Sequence, residues 1–323
     1  MTGDFFAIGK EQWNSACKLG LNPAVAFLVL ARGSGRDNIT TRWSAEAVAQ
    51  HTGISWRRAQ DAIAELERAK LASNTKEAGQ RPTRKLAFPD DMDKALWLPN
   101  ALVDGVGGAA SPVARLRMTQ NVDYLQAFIE LYGLQDLAGD GGLPRKLIWT
   151  PFTREHVCDA GQFKVYGFTH RTESYCNTTG SLARFHDKVK PKDGWRSWAF
   201  LGTLQNMGLL ETVHYLAEGE STDAELLHAL TGDADALAVS VAASNSISSL
   251  PEWVTHRGEN YDYALPVIRD IPAPAVCGVY RLTFRPHTKL TAAWWAQHKA
   301  ACERFTSIYD AIGSGDYQRA IAA

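Results

Sequence analysis

The side chains best suited to chemistry crowd into one short stretch. Between Ser55 and Lys85 stand eight basic residues: Arg57, Arg58, Arg68, Lys70, Lys76, Arg81, Arg84 and Lys85. Four acidic ones oppose them: Asp61, Glu65, Glu67 and Glu77. The stretch therefore carries a net +4, in a chain of 323 residues whose formal net charge is −1. A basic patch on a near-neutral protein is the electrostatic footprint of a phosphate-binding surface. At its head lies Ser55-Trp56-Arg57-Arg58-Ala59-Gln60. Arginine can pair bidentately with guanine and glutamine with adenine, so these residue types suit reading base edges. The competing reading is that Arg57 or Arg58 only pairs with Asp61 along one helix face.

No other stretch supplies a comparable pattern. The chain has no His-Glu-x-x-His, no phosphate-loop lysine, no Gly-x-Ser-x-Gly and no dinucleotide fingerprint. Gly105 to Gly108 is glycine-rich, but no Gly-Lys-Ser/Thr follows it. His156, Cys158, His170, Cys176 and His186 lie in one region without the tight ligand pairs of a zinc site. Tyr166 and Tyr175 flank His170 and Arg171 at no spacing that specifies a nucleophile. The reading is a non-enzymatic protein without metal or cofactor. The five cysteines are scattered and include no Cys-x-x-Cys, which suits reduced thiols in a cytoplasmic protein. No apolar run is long enough to span a bilayer, and the first residues lack the basic and apolar regions of a signal peptide.

The elements that must position the basic stretch can be read locally. Ser44 is placed to cap a helix whose small apolar face is Ala45, Val48 and Ala49. Gly53 supplies a tight turn, Ile54 plugs the angle after it, and Ser55 opens a second helix. In that helix Ala59, Ile63 and Leu66 recur at helical spacing and point inward, leaving Trp56, Arg57, Arg58 and Gln60 outward. A strand at about 71–75 and a return strand at Lys85–Phe88 flank the polar tip 76–84. Ahead of Ser44, Asn22 and Pro23 open an apolar helix running to Ala31, and Ile39–Trp43 reads as a short strand. Thr41 and Arg42 sit just before the helix pair.

This order of helix, turn, helix and basic hairpin resembles the winged helix-turn-helix domains of regulators of the MarR and GntR type, over residues 5–90. The resemblance implies base reading by Trp56, Arg57, Arg58 and Gln60, with Ser55 at a phosphate. It also implies phosphate contacts from Thr41 and Arg42, and a backbone or minor-groove grip by Lys76, Arg81 and Arg84.

Beyond residue 90 the signals thin. Residues 91–144 read as a helical linker or packing segment, with Val122, Leu125, Phe128, Ile129 and Tyr132 on one face. The run Phe200–Leu210 echoes Ala62–Ala72, with Glu211–Leu216 and Cys277–Phe284 as strands after it. A second winged-helix-like domain is expected over 145–288, with an acidic insert at 218–275. Lys188, Lys190, Lys192 and Arg196 would be its DNA-binding residues. Residues 289–323 read as an amphipathic helix marked by Leu290, Trp294, His298, Phe305, Ile308 and Ile312, with Thr291 as cap.

The expected fold is α+β and mostly helical: two winged-helix domains joined by a helical segment, with a C-terminal helix. The expected partner is double-stranded DNA, with a homodimer contact through the middle or C-terminal helices. A transcriptional regulator is the first reading. Tandem winged helices in a chain of this length also resemble plasmid replication initiators, and a protein-interaction adaptor is the third reading.

Overall fold

The structure is a computed structural model that describes residues 4–75, 83–171, 175–176, 182, 185, 199–269, 271–284 and 288–322. Its N-terminal half is built on one helix. Strand β1 (Phe5–Gly9) leads into α1 (Lys10–Lys18) and α2 (Leu21–Arg32). Every residue of α2 from Pro23 to Ala31 is buried, as a helix that is apolar all round must be. The helix starts one residue before the Asn22 cap read from the sequence. Strand β2 (Thr40–Thr41), α3 (Ala45–Thr52), α4 (Trp56–Arg68), β3 (Ala72–Asn74) and β4 (Arg84–Leu86) follow. The three strands form an antiparallel sheet in the order β2-β4-β3.

Residues 91–144 are not a linker. Strand β5 (Ala95–Pro99) pairs antiparallel with β1 along its whole length, from Phe5↔Pro99 to Gly9↔Ala95. Helices α5 (Ala101–Asp104), α6 (Pro112–Arg117) and α7 (Val122–Tyr132) bury Leu102, Val113, Leu116, Leu125 and Phe128 in the same core as α2. A boundary at residue 90 would cut that core and strip β1 of its partner.

The second half departs further from expectation. Strands β6 (Ile148–Ala160) and β7 (Phe163–His170) form a long hairpin, and β8 (Tyr175–Cys176) pairs with β6. Helix α8 (Ala199–Asn206) leads to β9 (Leu210–Ala217) and β10 (Leu226–Ala229). Helices α9 (Ala234–Ser248) and α10 (Glu252–Gly258) precede β11 (Tyr263–Ile268) and β12 (Ala275–Leu282). Seven strands make one antiparallel sheet ordered β10-β9-β12-β6-β7-β11, with β8 beside β6. The two strands expected as a wing do pair, from Leu210↔Leu282 to Ala217↔Ala275. Both lie inside the sheet, however, flanked by β10 and β6. The segment expected as an acidic insert supplies β10, α9, α10 and β11. An open sheet with helices on it takes the place of the expected wing.

Helix α11 (Lys289–Gly313) closes the chain with α12 (Tyr317–Ala322). Its cap is Thr288, whose hydroxyl accepts the Thr291 N–H at 3.0 Å, in place of the expected Thr291. Leu290 is 63% exposed, whereas Cys302, Tyr309 and Ile312 pack with Val239 of α9 and with Phe168 and Leu216 of the sheet. The apolar face of α7, and that of α11 from Cys302 onward, both read as dimer contacts, therefore pack within the chain itself. The architecture is α+β. No helix among the described residues is long and apolar enough to cross a membrane.

Candidate nucleic-acid interface

The turn between α3 and α4 is fixed by short-range bonds. Ser44 accepts the Glu46 N–H at 3.3 Å and caps α3. At its far end the Thr52 hydroxyl donates to the Val48 carbonyl at 2.5 Å and accepts the Ile54 N–H at 3.3 Å. Gly53 then takes φ 69°, the left-handed region that a side chain would strain. Ile54 is buried in the angle, as its apolar side chain requires.

Two further elements brace this turn. The Trp43 ring stacks on His51 at 4.7 Å between centroids, and the Arg32 guanidinium lies 5.6 Å from the Trp43 centroid. Arg32 is held in turn by Asp104 at 2.6 Å. Gly33 is a close approach: a Cβ there would stand 2.2 Å from the Trp43 ring. Helix α6 grips the end of α3, with the Ser111 hydroxyl donating to the His51 carbonyl at 3.3 Å and Arg117 to the Thr52 carbonyl at 3.4 Å.

Helix α4 divides as its sequence spacing requires. Ala59, Ala62, Ile63 and Leu66 are buried, and Trp56, Arg57, Arg58, Gln60 and Asp61 are exposed. Trp56 is 57% exposed. Among the described residues neither Arg57 nor Arg58 forms an ion pair with Asp61; on this helix Arg68 approaches Glu65 at 3.8 Å and Glu67 binds Arg84. Ser55 makes no side-chain cap bond, so the first N–H groups of α4 have no side-chain cap beside two guanidinium groups. A helix start of this kind favours an anion.

Two expected contacts are corrected. Thr41 is 0% exposed, and its hydroxyl accepts the Trp43 N–H at 3.1 Å, so it is closed to phosphate. Arg84 binds Glu67 of α4 at 2.9 Å with a side chain only 12% exposed. It ties the return strand to the helix and does not face outward. Leu86, two residues on, is buried on the same strand face. Lys85 is exposed between them, so alternation moves the outward charge to Lys85. That period-two signal was present in Arg84-Lys85-Leu86. Arg42 is exposed. Lys76, Arg81, Lys188, Lys190, Lys192 and Arg196 lie outside the described residues.

The rest of the chain brings together groups that no spacing announced. Phe152, His170, His214 and Tyr263 come from β6, β7, β9 and β11, with ring centroids 5.0–5.8 Å apart along their contacts. His214 Nδ1 meets the Tyr263 hydroxyl at 2.7 Å. Burial and the neighbouring His170 hold the His214 imidazole down to about 4, and burial pushes Tyr263 up to about 12. Both groups are thus neutral, and one proton is shared along the line from the Tyr263 hydroxyl to His214 Nδ1. Among the described residues no three His, Cys, Asp or Glu side chains are placed to hold a metal ion.

No family model matches the chain, and neither does any curated protein or solved structure.

Proposed function

We propose that this chain is a sequence-specific double-stranded DNA-binding protein whose recognition element is α4, and that α2 to β4 form a winged helix-turn-helix. One observation carries the reading. Trp56, Arg57, Arg58 and Gln60 are exposed on the first turns of a helix whose other face is buried, and among the described residues neither arginine forms an ion pair. Long donors at the start of an exposed helix suit entry into a major groove. The order α2, β2, α3, α4, β3, β4, with Arg42 and Lys85 exposed around it, supports the same geometry. Arg57 and Arg58 would read bases, and Arg42 and Lys85 would hold phosphates.

The role is that of a transcriptional regulator. The test is recovery of DNA fragments from a digested genome by the purified chain at about 150 mM salt, where phosphate-only binding is weakened. Discrete fragments carrying a site near a promoter support the regulator. A run of direct repeats at an origin would replace it with a replication initiator. Recovery of no fragment above background would overturn DNA binding and leave the protein-interaction adaptor.

A further inference from the structure

A cavity of about 320 Å³ lies between α9, α10 and β11, remote in sequence from the basic stretch. Its floor is apolar, formed by Leu230, Ile247 and Leu265. Its polar lining is unusual in where the hydroxyl protons go. Ser240 donates to the Leu230 carbonyl at 2.6 Å, Thr255 to the Ile247 carbonyl at 3.1 Å and Ser248 to the Ser244 carbonyl at 3.3 Å. Tyr261 donates to Glu155 at 2.8 Å, and the Tyr263 hydroxyl lies 2.7 Å from His214 Nδ1. A hydroxyl has one proton and two lone pairs. Four of the lining hydroxyls, those of Ser240, Ser248, Thr255 and Tyr261, have thus committed their protons to groups of the protein, and what these four have left to offer is oxygen lone pairs.

Charge runs the same way. Glu259 and Asp262 line the cavity, and no Lys or Arg is among the described residues that do. The nearby Arg257 lies over the Trp253 ring at 5.5 Å and donates to the Val157 carbonyl at 3.4 Å. Tyr263 adds an aromatic ring to the wall. A guest must supply donors, carry positive charge and cover an apolar floor. Water meets the first demand only, and a sugar the first and in part the third. An ammonium group on a short hydrocarbon chain meets all three, with three donors of its own and attraction to a ring face.

We propose that this cavity binds a small aliphatic amine, with the ammonium against Glu259, Asp262 and the hydroxyl oxygens and the carbon chain over Leu230, Ile247 and Leu265. The site is independent of the DNA-binding reading and stands if that reading fails. The test is titration calorimetry of the full chain with 1,4-diaminobutane, using 1,4-butanediol as the uncharged control. The diamine gives saturable binding and the diol none. Glu259→Gln combined with Asp262→Asn weakens the diamine by about tenfold or more. Ser244→Arg, at an exposed lining position, places a competing guanidinium in the mouth and weakens it likewise. Both changes fall on exposed residues, so thermal melts that overlay the parent protein verify the fold. The proposal is overturned by absence of saturable heat up to about 10 mM diamine, by equal binding of the diol, or by unchanged affinity in both variants.

Discussion

Acidification from pH 7 to pH 5 should destabilise the chain, and His228 should carry a measurable share. This imidazole is 0% exposed and packs at 4.4 Å between ring centroids against Phe305. Its Nδ1 lies 3.2 Å from the Ala229 carbonyl, and its Nε2 has no hydrogen-bond partner among the described residues. Burial drives the group down to about 4 from an ordinary 6.5; the Ala229 carbonyl pulls it up and His298 pushes it further down. The sign follows from proton counting. Between 4 and 6.5 the unfolded chain binds a proton that the folded chain refuses. The stabilisation is complete above the unfolded value and is lost as pH falls through that window. The full gap is worth about 3 kcal/mol, of which about 2 kcal/mol is gone at pH 5. The assay is urea unfolding of the parent and of His228→Phe at both pH values. The variant keeps an aromatic ring but has nothing to protonate, so its loss between pH 7 and pH 5 should be smaller by about 2 kcal/mol. Equal losses in the two proteins would refute the argument, because His228 would then accept its proton in the folded state at no penalty.

Other consequences are as direct. Arg57→Ala and Arg58→Ala should each weaken binding to the selected DNA site by about 1–3 kcal/mol, measured by anisotropy against a scrambled duplex. Lys85→Ala should weaken selected and scrambled DNA alike and reduce the salt slope by about 1. Arg84→Met should leave that slope unchanged and lower stability by about 1–2 kcal/mol in denaturant unfolding, since it removes a partly buried partner of Glu67. Gly33→Ala should displace Trp43 from His51, because the new methyl would lie 2.2 Å from the indole. A lowered melting temperature and a changed Trp43 environment in near-ultraviolet circular dichroism are the readouts.

What local chemistry dictates was legible in the sequence. Ser44 caps α3, Gly53 turns left-handed, Ile54 fills the corner, and Ala59, Ile63 and Leu66 bury one side of α4. Each of these depends on neighbours within a few residues, so residue type and spacing suffice to place it. The exposure of Trp56, Arg57, Arg58 and Gln60 follows from the same periodicity. Arg84 marks the limit of that reasoning. Its charge argued for an outward side chain, but its strand position faces inward, where Glu67 awaits it.

Only the tertiary structure decided the rest. Strand β6 escaped notice because its pairing with β7 shifts register between His156 and Cys158, which breaks the alternation a strand is recognised by. The pairing of β1 with β5 joins residues some ninety apart, and no local signal names a partner at that distance. In the seven-stranded sheet β9 and β12 pair as their patterns suggested, but their flanking by β10 and β6 depends on which strands compete for each edge. The cavity beside Tyr263 and the ring cluster around His214 draw on segments from Phe152 to Leu265. Short-range bonding is written along the chain. Strand order, and the groups it gathers, is a choice among distant partners that only the folded chain makes.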